Sequence, residues 1–305
     1  MRRVPHPPAP SPCGRGGDDT SAAAVCPSPD VASRGLGRGA RGEAIDSHTH
    51  IFPEHVAERA VAALSAAYGA CPVVLPTVPE LIGRMDESGI SRAVVLPVAT
   101  KPEQVPSINK WFVSLQDNPR LIPFGALHPH LTDCSGEVER LCAAGIRGVK
   151  LQPHFQEFDL DEPAADRMWE AIGDRLVVIL HAGQEIAPIE RVRPTPTRIG
   201  QLFARFPALR LIVAHMGGFR QWDEAEAELV GANVHLDLSY TLGHISDEQI
   251  VRMIRAHGPE RVVWGSDFPW AEPREALAAF RRLGLTEAEE RGILAGNLRA
   301  LLALD

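Results

Sequence analysis

The sequence predicts an α/β protein built as a closed (β/α)8 barrel, the TIM-barrel fold. Eight short apolar runs alternate with segments of helical periodicity, the pattern of a parallel sheet covered by helices. That alternation leaves two architectures, a closed barrel and an open doubly wound sheet. An open sheet favours a glycine-rich turn after its first strand, whereas here the first run ends in His48-Thr49-His50. Polar residues also end several other runs, as barrel enzymes require.

The predicted strands are mostly continuous apolar stretches. Residues 176–180, Leu-Val-Val-Ile-Leu, are representative, and His181 follows them directly. A strand that is buried on both faces has this composition. In chain order the eight predicted strands are residues 44–50, 92–98, 121–128, 146–152, 176–181, 210–215, 234–240 and 261–267.

Helices are predicted between the strands from capping and stop signals. Gly89, Gly145 and Gly173 each follow a helical pattern, where a left-handed C-terminal residue is favoured. Ser246 and Thr286 each stand three residues before a Gln or Glu, as in a capping box. The predicted helices are residues 53–68, 78–88, 135–144, 163–172, 197–206, a helix starting after Ser246, 273–282 and 286–302. The first of these lies in a long connection and is expected to cover part of the barrel mouth.

The composition of the chain indicates where the ordered domain begins and which classes of partner are disfavoured. Residues 1–42 contain seven prolines and seven glycines with few large apolar residues, so we predict a disordered tail followed by a single domain over residues 43–305. The net charge of −8 disfavours nucleic acid as a partner. No apolar run approaches the roughly 20 residues of a membrane span. A small molecule is therefore the expected partner.

The five cysteines are odd in number and show no zinc-finger spacing. A disulfide framework is therefore not expected, and a reducing cytoplasm is the predicted location. Cys142 lies in a helical pattern and is expected to be a small buried residue.

Candidate metal ligands come from strand ends. His48 and His50 are two residues apart on a strand, so their side chains share a face. His181 ends the fifth predicted strand and Asp267 ends the eighth. In a closed barrel the eighth strand is next to the first and the fifth lies across the mouth, so these groups converge. Three imidazoles and a carboxylate suit a catalytic divalent metal with an open position.

His215 ends the sixth predicted strand and precedes Met216-Gly217-Gly218. It is a further candidate ligand, but we favour a catalytic role beside the metal, in which it polarises the substrate or moves a proton. The glycines leave room for a substrate to approach the backbone.

The stretches DSHTHIFP, GVKLQP, LHAG, AHMGG and WGSDFPW resemble the amidohydrolase superfamily. They are most similar to its amidohydrolase 2 branch, which includes aminocarboxymuconate-semialdehyde decarboxylase. The resemblance extends from Ala44 to Leu302 and implies a distorted barrel with one divalent metal, usually zinc. It implies that His48, His50, His181 and Asp267 are the ligands and that His215 is catalytic without being a ligand. It also implies a homodimer, which no stretch of the sequence indicates independently. Manganese, iron and cobalt are alternatives to zinc at such a site.

Lys150 lies at the end of the fourth predicted strand. Other branches of the superfamily carry a carboxylated lysine near this place, which bridges two metals. We favour instead a charged residue that contacts the substrate or pairs with a carboxylate.

Further substrate-binding candidates lie in loops after the predicted strands, where they are expected to face the barrel mouth. Arg220 in particular has the geometry to clamp a carboxylate, although a surface ion pair is an equal alternative. Asp46 is expected to orient the His48 strand rather than to bind metal. The substrate-binding candidates are His128, Lys150, His154, Arg220 and Trp270.

The predicted function is that of a metal-dependent hydrolase. In this hypothesis a metal-activated water attacks a small amide, lactone or ester, and Asp267 transfers the proton. A non-oxidative decarboxylase on the same metal site is the alternative enzyme. A non-catalytic barrel that binds ligands is the third hypothesis, and it predicts no metal.

Overall fold

The computed structural model describes residues 43–69 and 71–305 of this chain. The predicted disordered tail, residues 1–42, lies outside the described residues, as do Cys13 and Cys26. Among the described cysteines, Cys71, Cys134 and Cys142 are all free. Cys142 is exposed, so the expectation that it is buried was wrong: its side chain lies on the solvent side of its helix.

Short parallel strands alternate with helices, as predicted. The third predicted strand is interrupted at Phe124, so the eight predicted strands form nine segments in the described residues. These are β1 Ile45–Thr49, β2 Arg92–Val95, β3 Leu121–Pro123, β4 Gly125–Ala126, β5 Gly148–Leu151, β6 Val177–Leu180, β7 Arg210–Val213, β8 His235–Asp237 and β9 Val262–Val263.

The strands pair in chain order and close into a barrel. β1, β2 and β3 form one parallel ladder, and β4 to β9 form the other. The Phe124 N–H donates to the Val95 carbonyl at 3.1 Å across the join. Closure occurs beyond β9, where the Ser47 N–H donates to the Trp264 carbonyl at 3.0 Å and the Asp267 N–H to the His48 carbonyl at 2.9 Å. The end of the last strand is thereby placed beside the first.

The described part of the chain contains eleven α-helices. They are α1 Glu54–Tyr68, α2 Val78–Ser88, α3 Val105–Ser114, α4 Cys134–Ala143, α5 Pro163–Ile172, α6 Pro196–Arg205, α7 Trp222–Glu228, α8 Asp247–His257, α9 Pro273–Arg281, α10 Glu287–Arg291 and α11 Asn297–Leu302. Of these, α3 and α7 were not predicted. The predicted bounds of α2 and α5 match the observed ones.

The predicted helix over residues 286–302 is divided by a π-helical turn, Gly292–Gly296, between α10 and α11. In this turn the Asn297 N–H bonds to the Gly292 carbonyl. The Ile293 carbonyl accepts instead from the Trp264 N–H at 3.0 Å. A strand-end amide thus takes the place of one helical bond, and the wider turn accommodates it.

Two apolar cores position the site. The larger packs the outer face of the barrel against the helices. The smaller lies inside the barrel, where alternate residues such as Val177 and Ile179 meet Leu298 and Leu302 of α11. α11 closes the amino end of the barrel. The polar residues that follow the strands lie at the opposite, carboxyl end, where active sites of this fold lie.

Candidate metal centre and cavity

β1 is irregular at the point where it carries the two histidines. Its pairing with β2 shifts register between Asp46 and Thr49, as a β-bulge does. The side chain of Ile45 belongs to the inner core. In a regular strand the side chains alternate between the two faces, so an inward Ile45 would leave His48 and His50 pointing outwards. With the register shift, both histidines line the cavity at the barrel mouth.

His48, His50 and Asp267 form the candidate metal group. One ligand atom from each lies within 4.8 Å of the others. The Nε2 atoms of His48 and His50 each lie 3.6 Å from Asp267 Oδ1. Nitrogen and carboxylate donors at this separation suit a divalent transition metal, so the residues fit the expected ion.

Hydrogen bonds fix the tautomers of the two histidines. His48 Nδ1 lies 2.8 Å from Asp237 Oδ2, and His50 Nδ1 lies 3.0 Å from the Leu96 carbonyl. Both partners are acceptors, so both Nδ1 atoms carry the proton and both Nε2 atoms keep a lone pair. That of His50 faces Asp267, while that of His48 lies between Asp267 and the ammonium of Lys150, which is 3.0 Å away.

The protonation states of the two histidines also suit a metal, whereas the raised pKa of Asp267 opposes metal binding. Burial, followed by the charge of Lys150, lowers the pKa of His50 to about 3 and holds the pKa of His48 well below its usual value. Both rings are therefore neutral, as metal binding requires. Burial raises the pKa of Asp267 well above its usual value, against the attraction of Lys150.

His181 and His215 lie beside this group and bond to each other. His181 Nδ1 is 3.0 Å from His215 Nε2, and His215 Nδ1 is 3.0 Å from the Ser239 carbonyl. His181 Nε2, however, lies 3.1 Å from Glu185 Oε1. The metal group found among the described residues does not include His181, so its role as a ligand stays a prediction.

Lys150 is buried and reaches across the barrel. Its Nζ lies 3.0 Å from His48 Nε2. Burial lowers the pKa of Lys150 to about 8, while Asp237, Asp267 and Glu185 act in the opposite direction. The side chain therefore carries its charge at neutral pH, at the edge of the candidate metal group.

Asp237 is a site residue that the sequence analysis missed. It is fully buried at the end of β8, and its second oxygen, Oδ1, accepts from the His215 N–H at 3.0 Å and the Ser239 N–H at 2.9 Å. One carboxylate thus orients His48 and anchors the backbone at His215. The strand predicted over residues 234–240 contains Asp237 at its centre, whereas the observed strand β8 ends at this residue, so strand-end position could not single it out.

Two catalytic candidates have left-handed backbones. The φ angles are 57° at His215 and 71° at Asp267, which non-glycine residues adopt at a cost of roughly 1–3 kcal/mol each. Asp46, as expected, orients backbone rather than metal: its Oδ1 accepts from the His48 N–H at 3.1 Å and the Ser266 N–H at 2.8 Å.

A cavity of about 840 Å³ opens above these residues. Lys150 and Trp270 are in its wall, together with all five predicted metal-centre residues. His55, which the sequence analysis treated as structural or solvated, is also in the wall. Other residues that line it are Phe155, Gln152, Glu185, Phe219 and Tyr240.

The other three substrate-binding candidates are engaged elsewhere. His128 Nδ1 accepts from the His130 N–H at 3.2 Å, and His154 Nε2 lies 3.3 Å from the Gly183 carbonyl. The Arg220 guanidinium donates to the backbone carbonyls of residues 185 and 186 at 3.3 and 3.0 Å. None of the three is among the described residues that line the cavity.

The sequence model of an amidohydrolase family matches residues 45–304. The chain belongs to this amidohydrolase family. The resemblance drawn from the motifs is thereby confirmed, and the chain is an enzyme of the amidohydrolase superfamily. None of the curated proteins matches the sequence significantly.

Solved structures with the same fold include both decarboxylases and hydrolases. The 5-carboxyvanillate decarboxylase of Sphingomonas paucimobilis is 17% identical, with a TM-score of 0.68 over 87% of this chain and 100% of that one. The dihydroxybenzoic acid decarboxylase of a Polaromonas species, solved with manganese, is 19% identical, with a TM-score of 0.65 over 87% and 98%. A probable 2-pyrone-4,6-dicarboxylic acid hydrolase of Acinetobacter baumannii is 20% identical, with a TM-score of 0.62 over 86% and 99%. These likenesses confirm the TIM-barrel fold.

No helix in the described part of the chain combines the length and the apolar character needed to span a membrane.

Proposed function

We propose that this chain is a metal-dependent, non-oxidative decarboxylase of an aromatic carboxylate. The observation that carries the proposal is the position of Lys150, a buried cation in the cavity wall 3.0 Å from a predicted metal ligand. A substrate carboxylate placed there would meet both a cation and the metal centre. Phe155, Phe219 and Trp270 in the same wall offer the faces and edges on which an aromatic ring packs.

The metal would be held by His48, His50 and Asp267, with His181 as the predicted fourth ligand. A bound divalent ion supplies an electrophile that draws electron density from the oxygen atoms of the substrate. The donor set suits both zinc and manganese, since nitrogen and carboxylate ligands accept both.

In this proposal each step belongs to a residue of the chain. Lys150 holds the carboxylate by a charge-assisted hydrogen bond. Asp267, whose Oδ1 faces the two histidines, delivers a proton from its other oxygen, Oδ2, to the ring carbon that bears the carboxylate. The bond from that carbon to the carboxylate then breaks, its electron pair restores the aromatic ring, and carbon dioxide leaves. Asp267 regains a proton from solvent. His215, whose ring centroid lies 5.4 Å from that of His48, orients the substrate beside the metal centre.

The test compares two classes of substrate on metal-loaded protein. Hydroxybenzoates are incubated with the enzyme and carbon dioxide release is measured, while aryl lactones and amides are assayed for ring opening or amine release. We expect release of carbon dioxide, with Lys150→Met lowering kcat/KM at least 100-fold, about 2.7 kcal/mol. Lys110→Met, on the exposed surface of α3, is the matched control and should retain activity.

Hydrolysis, the reaction favoured by the sequence, is the second candidate. It is supported by the family to which the chain belongs and by the similarity of the fold to a probable pyrone hydrolase. Turnover of a lactone or amide without release of carbon dioxide from any carboxylate would establish it and refute the decarboxylase proposal.

A further inference from the structure

The cavity has two parts with different chemistry. Its floor carries the imidazoles, Lys150 and Asp267. Its outer wall is formed by α1 and α3 and is mainly apolar. We call this part the apolar wall and define it by Val56, Ala60, Ala63 and Leu64 of α1 with Ile108, Trp111 and Phe112 of α3.

The apolar wall consists of one apolar face of α1 and one apolar face of α3, and both faces line the same cavity. The α1 residues follow at intervals of four, three and one, and the α3 residues at intervals of three and one, so each set lies on one face of its helix. Of the seven, only Phe112 is buried, with 3% of its surface exposed. The other six are half-buried or exposed, although they line a concavity. Apolar side chains left open inside a cavity offer roughly 25 cal/mol for each Å² that a ligand covers.

The cavity is larger than a substrate with a single substituted ring would fill. About 840 Å³ lies in the upper part of the range of roughly 300–1,000 Å³ that is typical of sites for drug-sized ligands. A substrate confined to one substituted ring at the floor would leave the apolar wall uncovered.

Buried charge in the cavity is concentrated at the floor. Lys150 is the buried cation among the described lining residues, and Arg59 on α1 is the exposed one. An anionic group that faced the apolar wall would lose its hydration without a buried partner, which is costly. The wall therefore suits a neutral, apolar extension of the substrate.

We infer that the substrate is a monocarboxylate whose ring carries an extended apolar substituent, either a second ring or an alkyl chain, which lies between α1 and α3. This inference rests on the proposed function for the placement of the carboxylate at Lys150. It goes beyond that function because it assigns a role to α1 and α3. These helices would select substrates by the apolar substituent, the part of the substrate farthest from the metal.

The experiment measures binding separately from turnover. Three probes are titrated calorimetrically into manganese-loaded protein: 2-hydroxybenzoate, its 5-phenyl derivative and 4-hydroxyisophthalate, which has a second carboxylate. Release of carbon dioxide from each probe is measured in parallel. We expect the phenyl derivative to bind at least tenfold more tightly than 2-hydroxybenzoate, and 4-hydroxyisophthalate to bind no more tightly than 2-hydroxybenzoate.

A matched pair of variants locates the effect. Ala63→Trp fills the space in front of the apolar wall, whereas Ala62→Trp introduces the same side chain at a neighbouring exposed position outside the cavity. We expect Ala63→Trp to abolish the tenfold gain, measured against the affinity of the same variant for 2-hydroxybenzoate. Ala62→Trp should retain the gain.

The possible failures are distinguishable. An equal or higher affinity for 4-hydroxyisophthalate than for the phenyl derivative, or a gain that survives in Ala63→Trp, overturns the inference even if carbon dioxide is released. A gain that depends on Ala63 without release of carbon dioxide from any probe upholds the apolar wall as a ligand site and refutes the decarboxylase proposal.

Discussion

Replacement of Asp237 by asparagine tests whether this buried carboxylate sets the metal affinity of the site. Both of its oxygens are acceptors in the structure: Oδ2 faces His48 Nδ1 at 2.8 Å, and Oδ1 faces the N–H groups of His215 and Ser239. Asparagine has a single oxygen. If that oxygen keeps the two backbone donors, its NH2 group faces His48 Nδ1.

The expected loss of metal affinity in Asp237→Asn follows from the tautomer of His48. Opposite an NH2 group, Nδ1 must become the acceptor, so the proton moves to Nε2, the atom that faces Asp267 at 3.6 Å. The lone pair needed by the metal is then lost. Loss of such an outer partner typically weakens metal binding 10- to 100-fold, which is about 1.4–2.7 kcal/mol.

The assay is competition for zinc or manganese against a chromophoric chelator, with the metal content of the purified protein determined by elemental analysis. Asp166→Asn is the control of the same chemistry, since Asp166 pairs with Arg205 on the helical surface. A metal affinity of Asp237→Asn within twofold of the parent protein would refute the reasoning.

Three further outcomes are expected. Asp267→Asn should abolish turnover while far-ultraviolet circular dichroism stays unchanged, and full activity would exclude Asp267 from the chemistry. Gly265→Ala would place a Cβ 2.8 Å from His48 Cβ, so urea unfolding should show a loss of about 1–3 kcal/mol; an unchanged midpoint would contradict this. His257 is buried and neutral, with Nε2–H donating to the Val234 carbonyl at 2.9 Å and Nδ1 accepting a backbone N–H at 3.1 Å, and burial lowers its pKa. Because the unfolded chain then binds this proton more readily, the free energy of unfolding should decrease as the pH falls below about 6.5. His257→Gln should flatten this decrease in the thermal midpoint between pH 7.5 and 5, and an unaltered slope would contradict the assignment.

The strands were predictable because burial on both faces leaves a continuous apolar run. Helices with a wide buried stripe were predictable for the same reason: α5 buries six of its ten residues. By contrast, α7 buries only Trp222 and Ala225, too few to establish a helical period. The π-helical turn depends on the Trp264 N–H, which is distant in sequence, so local pattern could not predict it.

The sequence predicted which types of residue form the candidate site. It did not predict which of these side chains line the cavity and which form hydrogen bonds with the protein itself. Strand-end position identified His48, His50, Asp267 and Lys150, all of which line the cavity. Arg220, in the loop after the sixth predicted strand, was also expected to face the barrel mouth, but its guanidinium donates to two backbone carbonyls instead. Which strand-end group meets a ligand and which meets the protein itself depends on loop conformation, and neither residue type nor spacing specifies that conformation.

The orientation of the two β1 histidines rests on a feature that no sequence pattern revealed. Ile45 packs inside the barrel near α11, and from there a regular strand would turn Ser47 and Thr49 inwards. The register shift between Asp46 and Thr49 reverses this order. At the same place Asp46 Oδ1 accepts from the backbone N–H groups of both His48 and Ser266, the latter across the barrel seam. The carboxylate that the sequence assigned to orientation therefore fixes the irregular backbone of β1 at the histidines, and the convergence of His48 and His50 on Asp267 depends on that backbone.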